Sequence, residues 1–488
     1  MNSFYINTNR IFNSIRKFAW LFILLVAFGG LWYPKLGLLM IPLMLALGVQ
    51  GFFKGKYWCG NLCPHGSLFD QFIMPISRNK KIPSFLKSKV MIVLAFSWFM
   101  YMLTQRLIKV FALFGAAPFW DRLGFIFVMN YLMVTILGTI FALFVSSRTW
   151  CSFCPMGTFQ VLSYKLGKLM GLNKKIDKKV TVCSIEKCHT CGKCARVCPM
   201  QLTPHLEFTE NSQFENEMCI RCATCVENCP AGILILSNTE DGLKVVSEQD
   251  LTGYENRQSI KAQIVSVKEL QDDINEYILA FKSPQKVDYQ PGQFMLIKIQ
   301  DKPLLFRAFT IASNNIDGKT VKIIIKREPG GYGSEIIFNR FKEGDMVELE
   351  GPMGNELIVD KTAQKVLFVA NGIGITPFIP LTKDLLTTTN NIKEITLIYG
   401  VRYEDQFIYD NYFKELEAEH NKFRYIKVVS RPHNEAEHKK GYVTNIIREM
   451  DLIGYKVYIC GTKAMTLDTL QLLRDKGVEE EDVFHEAV

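Results

Sequence analysis

The chain has 488 residues, 14 cysteines and a formal net charge of +9, and 48% of its residues are hydrophobic. This length allows about three domains, and so many cysteines in a long chain indicate metal binding rather than a secreted disulfide scaffold. Much of the positive charge flanks apolar runs, where it sets membrane topology, which argues against nucleic-acid binding.

The first 160 residues are predicted to form an α-helical membrane bundle. Four uncharged apolar runs are predicted to cross the bilayer: Phe18–Pro34, Leu36–Phe53, Val90–Gln105 and Leu123–Ser147. Leu107–Trp120 is shorter and carries Lys109, so it is predicted to be interfacial or re-entrant, with a fifth span as the alternative. Positive residues crowd the amino terminus and the loop after the second run, which places both in the cytoplasm. We therefore expect a multi-pass protein of the cytoplasmic (inner) membrane.

Two cysteine pairs follow the second and fourth apolar runs, in similar W-C-x(2,3)-C-P-x-G motifs. We call these four residues the boundary cysteines: Cys59, Cys63, Cys151 and Cys154. One hypothesis is that they converge on a third metal centre or a redox-active thiol pair; the alternative is buried thiols at helix ends. The motifs resemble those of the polyferredoxin-like membrane proteins of the periplasmic nitrate reductase and nitrous oxide reductase systems. That resemblance implies a membrane bundle with a cytoplasmic double ferredoxin, although the second pair here is one residue shorter than the family's C-x3-C-P.

Residues 161–250 are predicted to form an α+β ferredoxin domain with two [4Fe–4S] clusters. The run C-x2-C-x2-C-x3-C-P, typical of bacterial two-cluster ferredoxins, occurs twice. One cluster is assigned to Cys188, Cys191, Cys194 and Cys229, and the other to Cys198, Cys219, Cys222 and Cys225. The alternative is a pair of structural zinc sites. Cys183 mimics plant-type spacing but is interpreted as a bystander thiol. A basic linker, 165–179, precedes the cysteine runs, and a strand and a turn are predicted after Ala231.

Residues 257–358 alternate short strands with turn signals, which predicts a small antiparallel β-barrel. A glycine-rich turn ending in Ser334 opens a helical pattern and can receive a phosphate. Together with Arg307-Ala-Phe309-Thr310, the segment resembles the ferredoxin-NADP reductase superfamily, from Ser259 to the end of the chain. The resemblance implies FAD rather than FMN, with Arg307 on its phosphate, Phe309 stacked on the ring and Thr310 at the ring edge. The predicted phosphate contacts are Gly330, Gly331, Gly333 and Ser334.

Residues 362–488 alternate buried strands with helices, as expected for a parallel α/β nucleotide-binding domain. Strands are predicted at Val366–Ala370, Ile395–Tyr399, Tyr425–Val429 and Lys456–Cys460. The superfamily pattern assigns nucleotide binding to two loops: Gly372, Gly374, Thr376 and Pro377, then Cys460, Gly461 and Thr462. The resemblance places Cys460 beside the nicotinamide, although the residue pattern alone also fits a buried thiol ending a strand. It also brings Glu486 towards the flavin edge, so the predicted catalytic residues are Cys460, Thr310 and Glu486.

The predicted function is a membrane-bound NAD(P)H-linked oxidoreductase containing flavin and [4Fe–4S] clusters. Ser430-Arg431 could grip a 2′-phosphate, but no second basic partner is evident in the sequence, which favours NADH. The expected partners are a nicotinamide nucleotide, the membrane, and a quinone, ferredoxin or other redox protein. One alternative is a redox regulator or an electron donor for metalloenzyme maturation. Another is a cytoplasmic reductase held by a passive anchor.

Overall fold

The computed structural model describes residues 4–173, 175–388, 391–433 and 440–486. Lys174, within the predicted basic linker, lies outside the described residues. The chain divides into two units: the first comprises Met1–Cys188 with Gly192–Gln249, and the second comprises His189–Cys191 with Asp250–Val488.

The amino-terminal part of the first unit is helical. Its α-helices, α1 to α9, are Ser14–Phe18, Leu21–Ile23, Gly29–Trp32, Met40–Lys54, Tyr57–Asn61, Pro64–Leu68, Lys89–Phe111, Phe119–Phe144 and Pro155–Leu169. A π-helical turn, Leu24–Phe28, joins α2 to α3, and a 3-10 segment, Pro34–Leu39, leads into α4. Shorter non-α segments are Phe69–Ile73, Met74–Ile76, Ser84–Lys87 and Trp150–Ser152.

Among the described residues, three helices are long and apolar enough to cross a membrane. They are Pro34–Lys54, Lys89–Phe111 and Phe119–Phe144. The first expected span is wrong in extent, because Phe18–Pro34 yields only the shorter apolar helix Leu21–Trp32. The helix ends at Trp32, where Tyr33 leaves the helical conformation, and Pro34, which cannot donate a backbone hydrogen bond, begins the 3-10 segment.

The segment Leu107–Trp120 is not a separate element. Its first residues extend α7 as far as Phe111, and its last residues begin α8 at Phe119. Gly115, at φ +90°, and Pro118 lie in the turn between these helices, where neither residue favours a continued helix.

The ferredoxin part of the first unit contains a two-stranded antiparallel sheet. Its strands are β1, Lys179–Val182, and β2, Leu234–Ser237; its helices are α10, Lys193–Val197, α11, Thr224–Glu227, and α12, Thr239–Ser247. A turn was expected after β2, but α12 begins there instead. The side chain of Asn238 accepts the Asp241 N–H at 2.8 Å and caps this helix.

The first sheet of the second unit has six antiparallel strands in the order β6-β5-β8-β3-β4-β7. They are β3 Gln258–Gln271, β4 Ile274–Ser283, β5 Phe294–Asp301, β6 Leu304–Thr310, β7 Thr320–Lys326 and β8 Met346–Met353; helix α13, Tyr332–Arg340, precedes β8. The expected closed barrel is not found in the described part of the chain. The edge strands β6 and β7 approach through an isolated bridge between Ile311 and Ile323, without a continuous ladder.

The second sheet of this unit is parallel, in the order β11-β10-β9-β12-β13. Its strands are β9 Lys365–Asn371, β10 Glu394–Val401, β11 Phe423–Val429, β12 Tyr455–Cys460 and β13 Val483–His485. Its helices are α14 Phe378–Thr388, α15 Asp410–Glu419, α16 Val443–Glu449 and α17 Lys463–Asp475. The chain passes from β9 to β10 on one side, while β12 lies on the other. The loops after β9 and β12 therefore meet at a topological switch point, where such sheets bind ligands.

Candidate redox sites

The two ferredoxin motifs adopt matching backbone conformations. Thr190 and Gly192 flank the second cysteine of the first motif, and Arg221 and Ala223 flank that of the second; all four have positive φ, between 46° and 65°. Ala223 accepts a conformation that ordinarily favours glycine, so the loop geometry outweighs that local preference. Helices α10 and α11 begin directly after Gly192 and Ala223.

The cysteines assigned to one ferredoxin cluster lie near one another. Burial raises the pKa of the Cys225 thiol, and nearby Cys219, Cys222 and Cys198 raise it further. Burial also raises the pKa of Cys198 to about 11, opposed by the backbone N–H groups of Leu202 and Met200. Thiols in such surroundings lose their protons when a metal binds them.

The cysteines assigned to the other cluster fall in both units, because Cys191 belongs to the second unit. Within the first unit, Cys188, Cys194 and Cys229 pack against the apolar core that contains Val180. Cys183 is buried, and its thiol pKa is raised by burial and then by Cys229.

The four boundary cysteines also come together. Burial raises the pKa of Cys63 to about 12, with further increases from Cys59 and Cys151. The pKa of Cys154 is likewise raised to about 12 by burial and then by Cys59 and Cys151. The thiols that the sequence separates by about ninety residues therefore face a common region.

The repeated C-P-x-G tetrapeptide has the same role in both boundary motifs. Cys63 immediately precedes α6 and Cys154 immediately precedes α9, with proline as the first helical residue each time. The backbone N–H groups of Gly66 and Gly157 approach the respective sulfurs and oppose the rise in thiol pKa. The shorter spacing of the second pair thus leaves this local geometry intact.

Polar side chains also reach the boundary sulfurs. Gln160, which is fully buried, donates from Nε2 to Cys59 Sγ at 3.3 Å. Arg148 donates from Nη1 to Cys151 Sγ at 3.6 Å. Among the described residues no group of three or more His, Cys, Asp or Glu side chains could hold a single metal ion. A cubane differs from such an ion because it attaches each thiolate to a different corner. The four converging sulfurs and the N–H groups that reach them fit a [4Fe–4S] cubane.

The predicted flavin-phosphate residues converge at the start of α13. A Cβ added to Gly333 would lie 2.7 Å from Arg307 Nε, so a larger residue there would displace the Arg307 side chain. Gly331 precedes the helix, and Gly330 adopts φ +73°. Ser334 Oγ accepts the Glu328 N–H at 3.0 Å. The helix amino terminus and the guanidinium form a cradle that fits a phosphate, and Phe309 and Thr310 follow on the same strand, β6.

Replacing Arg307 with alanine should remove most of the flavin from the purified protein. The guanidinium contributes charge-assisted hydrogen bonds to a phosphate, and we expect a roughly tenfold to hundredfold weaker affinity. The measurement is flavin released per chain, with fluorescence titration of the stripped protein. Arg340→Ala, at the other end of the same helix, serves as the matched control and should retain its flavin. Full flavin occupancy in Arg307→Ala would contradict the assignment.

The two predicted nucleotide loops are in direct contact. A Cβ on Gly374 would lie 2.2 Å from the Cys460 carbonyl oxygen. Asn371 accepts the Thr462 N–H at 2.8 Å and donates to Thr462 Oγ1 at 3.1 Å. These two hydrogen bonds between Asn371 and Thr462 were not predicted from the sequence. The sequence did carry an indication of them, because Asn371 stands where the superfamily pattern often has glycine. Thr376 Oγ1 donates to the Ile373 carbonyl at 2.7 Å, and Pro377 directly precedes α14.

The three predicted catalytic side chains are neighbours. The Glu486 residue is exposed overall, but its carboxyl group is packed among protein atoms. The resulting loss of hydration raises the pKa of this carboxyl group. Glu356 raises that pKa further, while a hydrogen bond with the Thr310 side chain lowers it. Cys460 is half-buried, and its thiol pKa is raised by burial and by Glu486.

A basic residue that the sequence reasoning missed lies beside Arg431. The Arg431 N–H donates to the Arg402 carbonyl at 2.9 Å, and the Ser430 N–H donates to the Val401 carbonyl at 3.0 Å. Arg402 follows β10 and Arg431 follows the neighbouring strand β11. This backbone bond brings a second arginine near Ser430 and Arg431, and the preference for NADH stays a prediction.

Comparisons with known families agree with this order of sites. A family model described as "Oxidoreductase FAD-binding domain" matches residues 261–357, and one described as "Oxidoreductase NAD-binding domain" matches residues 368–471. A "4Fe-4S dicluster domain" matches residues 152–233. A "4Fe-4S binding domain" matches residues 36–83 and 129–173, the two segments that contain the boundary cysteines. The chain therefore combines FAD-binding, NAD-binding and iron–sulfur domains.

Several curated proteins match about half of the chain. The reductase component of propane 2-monooxygenase from Rhodococcus jostii (strain RHA1) is 25% identical over 49% of this chain and 66% of its own length. The ferredoxin–NAD(P)(+) reductase component of the naphthalene 1,2-dioxygenase system from Pseudomonas putida is 24% identical over 55% and 87%.

Among solved structures, the ferredoxin reductase in carbazole 1,9a-dioxygenase has a TM-score of 0.43, with 23% identity over 47% of this chain and 69% of its own. The Amycolatopsis cytochrome P450 reductase has the same TM-score, with 21% identity and the same coverage.

Proposed function

We propose that this flavin- and iron–sulfur-dependent NAD(P)H oxidoreductase is anchored in the cytoplasmic membrane and delivers electrons there through the boundary cysteines. FAD, when bound, accepts a hydride as two electrons, and iron–sulfur clusters carry electrons singly. Arg307 and the glycine turn would hold the flavin, and the loops after β9 and β12 would hold the nicotinamide nucleotide. The eight ferredoxin cysteines would hold two clusters and the boundary cysteines a third.

A close contact between the boundary motif and the second ferredoxin motif carries this proposal. Gly60 lies between Cys59 and Cys63, and a Cβ on it would be 2.0 Å from the Ile220 carbonyl oxygen and 3.3 Å from Cys222 Cβ. Asn61 Nδ2 donates to the Arg221 carbonyl at 3.2 Å. Cys59, Cys151 and Cys222 belong to one apolar core, within the first unit. The loops that hold the two proposed clusters therefore touch, which suits electron transfer between them.

The membrane position is supported by the three apolar helices, together with the positive-inside pattern of the loops. The polyferredoxin-like resemblance supports the same arrangement. The relatives are reductase components of oxygenase systems, which supports a redox protein as acceptor. The contact between the boundary motif and the ferredoxin loop favours an acceptor at the membrane, either a quinone or a partner protein. NADH and NADPH are both suitable donors, because Ser430 and Arg431 could bind a 2′-phosphate and the Arg402 carbonyl accepts the Arg431 N–H.

Purified protein should contain about twelve irons per chain, and the double variant Cys59→Ser/Cys151→Ser should contain about eight. The variant should still reduce ferricyanide with NAD(P)H through its flavin, but should lose turnover with a soluble quinone or the natural redox partner. Cys183→Ser is the matched control, because Cys183 is a buried thiol outside the proposed ligand sets. Iron analysis, EPR of the reduced protein and acceptor assays measure these outcomes.

Two results would contradict the proposal and point to its rivals. Full quinone or partner turnover in the double variant would indicate a passive anchor. A flavin that is reduced once and then stalls with every acceptor would indicate a regulatory or maturation role.

A further inference from the structure

A buried group of charges lies beside the boundary cysteines. Arg10, Arg16 and Arg148 surround the carboxylate of Asp70, and their side chains are 3%, 2% and 0% exposed. Arg148 Nη2 donates to Asp70 Oδ2 at 2.6 Å and Arg148 Nε donates to Oδ1 at 3.1 Å. Arg16 contacts Oδ2, and Arg10 Nη1 lies 3.5 Å from Oδ1. Three buried guanidinium groups thus share one carboxylate.

The excess positive charge is directed towards the cysteine loops. Besides its contact with Cys151 Sγ, Arg148 Nη1 donates to the Cys59 carbonyl at 3.1 Å, and its Nη2 donates to the Gly66 carbonyl at 3.2 Å. Lys56, also buried, donates to the Cys151 carbonyl at 3.3 Å. Four buried cations therefore face one buried carboxylate, a net charge of +3.

Uncompensated charge of this size is costly to bury, so an anion in the same region would stabilise it. A cluster held by four thiolates is such an anion, because the ligands outweigh the positive charge of the iron–sulfur core. One-electron reduction adds a further negative charge and requires no bond to form or break. Fixed cations nearby and N–H groups directed at sulfur favour the reduced state.

The arginine of the second ferredoxin motif, Arg221, is paired with a carboxylate of its own. Arg221 Nη2 lies 2.8 Å from Asp177 Oδ1, and both side chains are buried, so its charge is matched one to one. No such second carboxylate is seen beside Arg148 in the described residues, and Arg148 contacts a cysteine sulfur directly. The charge of Arg148 also reaches Cys222, but only after Cys151 and Cys63, and its one direct sulfur contact among the described residues is with Cys151. The boundary loop therefore receives the larger share of this charge.

We propose that Arg148, oriented by Asp70, is a positioning residue that raises the reduction potential of the boundary cluster above those of the ferredoxin clusters. The inference rests on the proposed function, since it requires a cluster at the boundary cysteines. It adds to that function a direction of electron flow, from the ferredoxin clusters towards the membrane side. Electrons that reach the ferredoxin clusters from a nicotinamide donor, or from dithionite in the laboratory, would collect at the membrane side.

The test is an EPR-monitored redox titration of the full-length protein in detergent, with iron analysis of each sample. The wild-type protein should show one cluster that titrates at higher potential than the other two. Arg148→Gln should shift the electron-transfer equilibrium between this cluster and the ferredoxin clusters by at least about tenfold, or about 59 mV for one electron. Arg148→Lys, which keeps the charge, should shift it less. The ferredoxin cluster assigned to Cys222 should shift less than the boundary cluster, because Cys222 has the weaker interaction with Arg148, and the other ferredoxin cluster should keep its potential.

Arg78→Gln is the matched control, because Arg78 is an exposed arginine of the same unit whose charge is screened by solvent. An unchanged boundary potential in Arg148→Gln with about twelve irons would overturn the inference and leave the proposed function standing. About eight irons and no third signal in the wild-type protein would instead overturn the proposed function. If Arg148→Gln loses the boundary cluster, the same titration is made on Lys56→Gln. A lowered reduction potential of the boundary cluster in Lys56→Gln supports the inference, and an unchanged potential overturns it.

Discussion

Replacing Gly374 with alanine should lower NAD(P)H oxidation by at least about a hundredfold while leaving flavin content unchanged. The added Cβ would lie 2.2 Å from the carbonyl oxygen and 2.6 Å from the carbonyl carbon of Cys460. Both are backbone atoms, so no side-chain rotation can relieve the overlap and the loops after β9 and β12 must separate. Cys460 would move away from its position beside Glu486.

Stopped-flow measurement of flavin reduction by NADH and NADPH reports this effect directly. Gly454→Asn is the matched control: Gly454 has φ +75°, which asparagine tolerates, and nothing lies within 4 Å of an added Cβ. Normal flavin reduction in Gly374→Ala would show that the loop contact is not needed for hydride transfer.

Replacing Gly60 with alanine should remove reduction of the proposed boundary cluster by NAD(P)H while both ferredoxin clusters remain reducible. The new Cβ would lie 2.0 Å from the Ile220 carbonyl oxygen, which belongs to the backbone of the second ferredoxin motif. Relief of that overlap requires the two cysteine loops to move apart, and such overpacking typically costs about 1–3 kcal/mol. The greater effect is on the separation of the two clusters.

EPR spectra recorded after reduction by NAD(P)H, and again after reduction by dithionite, distinguish slow transfer from a lost cluster. Gly232→Asn is the control, because Gly232 has φ +64° with nothing within 4 Å of an added Cβ. A boundary signal that develops at the wild-type rate in Gly60→Ala would exclude this contact as the route.

Local patterns in the sequence predicted the parallel sheet well. Val366–Ala370 is a continuous apolar run, and Lys456–Cys460 is apolar after its first residue. The structure extends them only slightly, to Lys365–Asn371 and Tyr455–Cys460. A strand that is buried on both faces has a nearly continuous hydrophobic sequence, so it can be recognised from the sequence alone. Strand Val483–His485 is short and partly polar, so its sequence did not predict a strand.

Predictions that depended on length or closure were less accurate. The first apolar run had the composition of a span, but its helix, Leu21–Trp32, ends just before Pro34. Alternating strands predicted an antiparallel sheet, yet alternation carries no information about whether its edges pair. The β6 and β7 edges meet at one isolated bridge, which depends on the twist of the whole sheet.

The sequence alone determined which residues could bind metals and nucleotides, because cysteine spacing and glycine turns act over a few adjacent residues. Only the tertiary structure decided which of these groups meet. Asp70 and Arg148 are far apart in the chain and are joined by burial of opposite charges. Gly60 approaches Ile220, and Thr310 approaches Glu486, through packing between distant segments. Such contacts follow from the summed burial of many residues, which no local motif encodes.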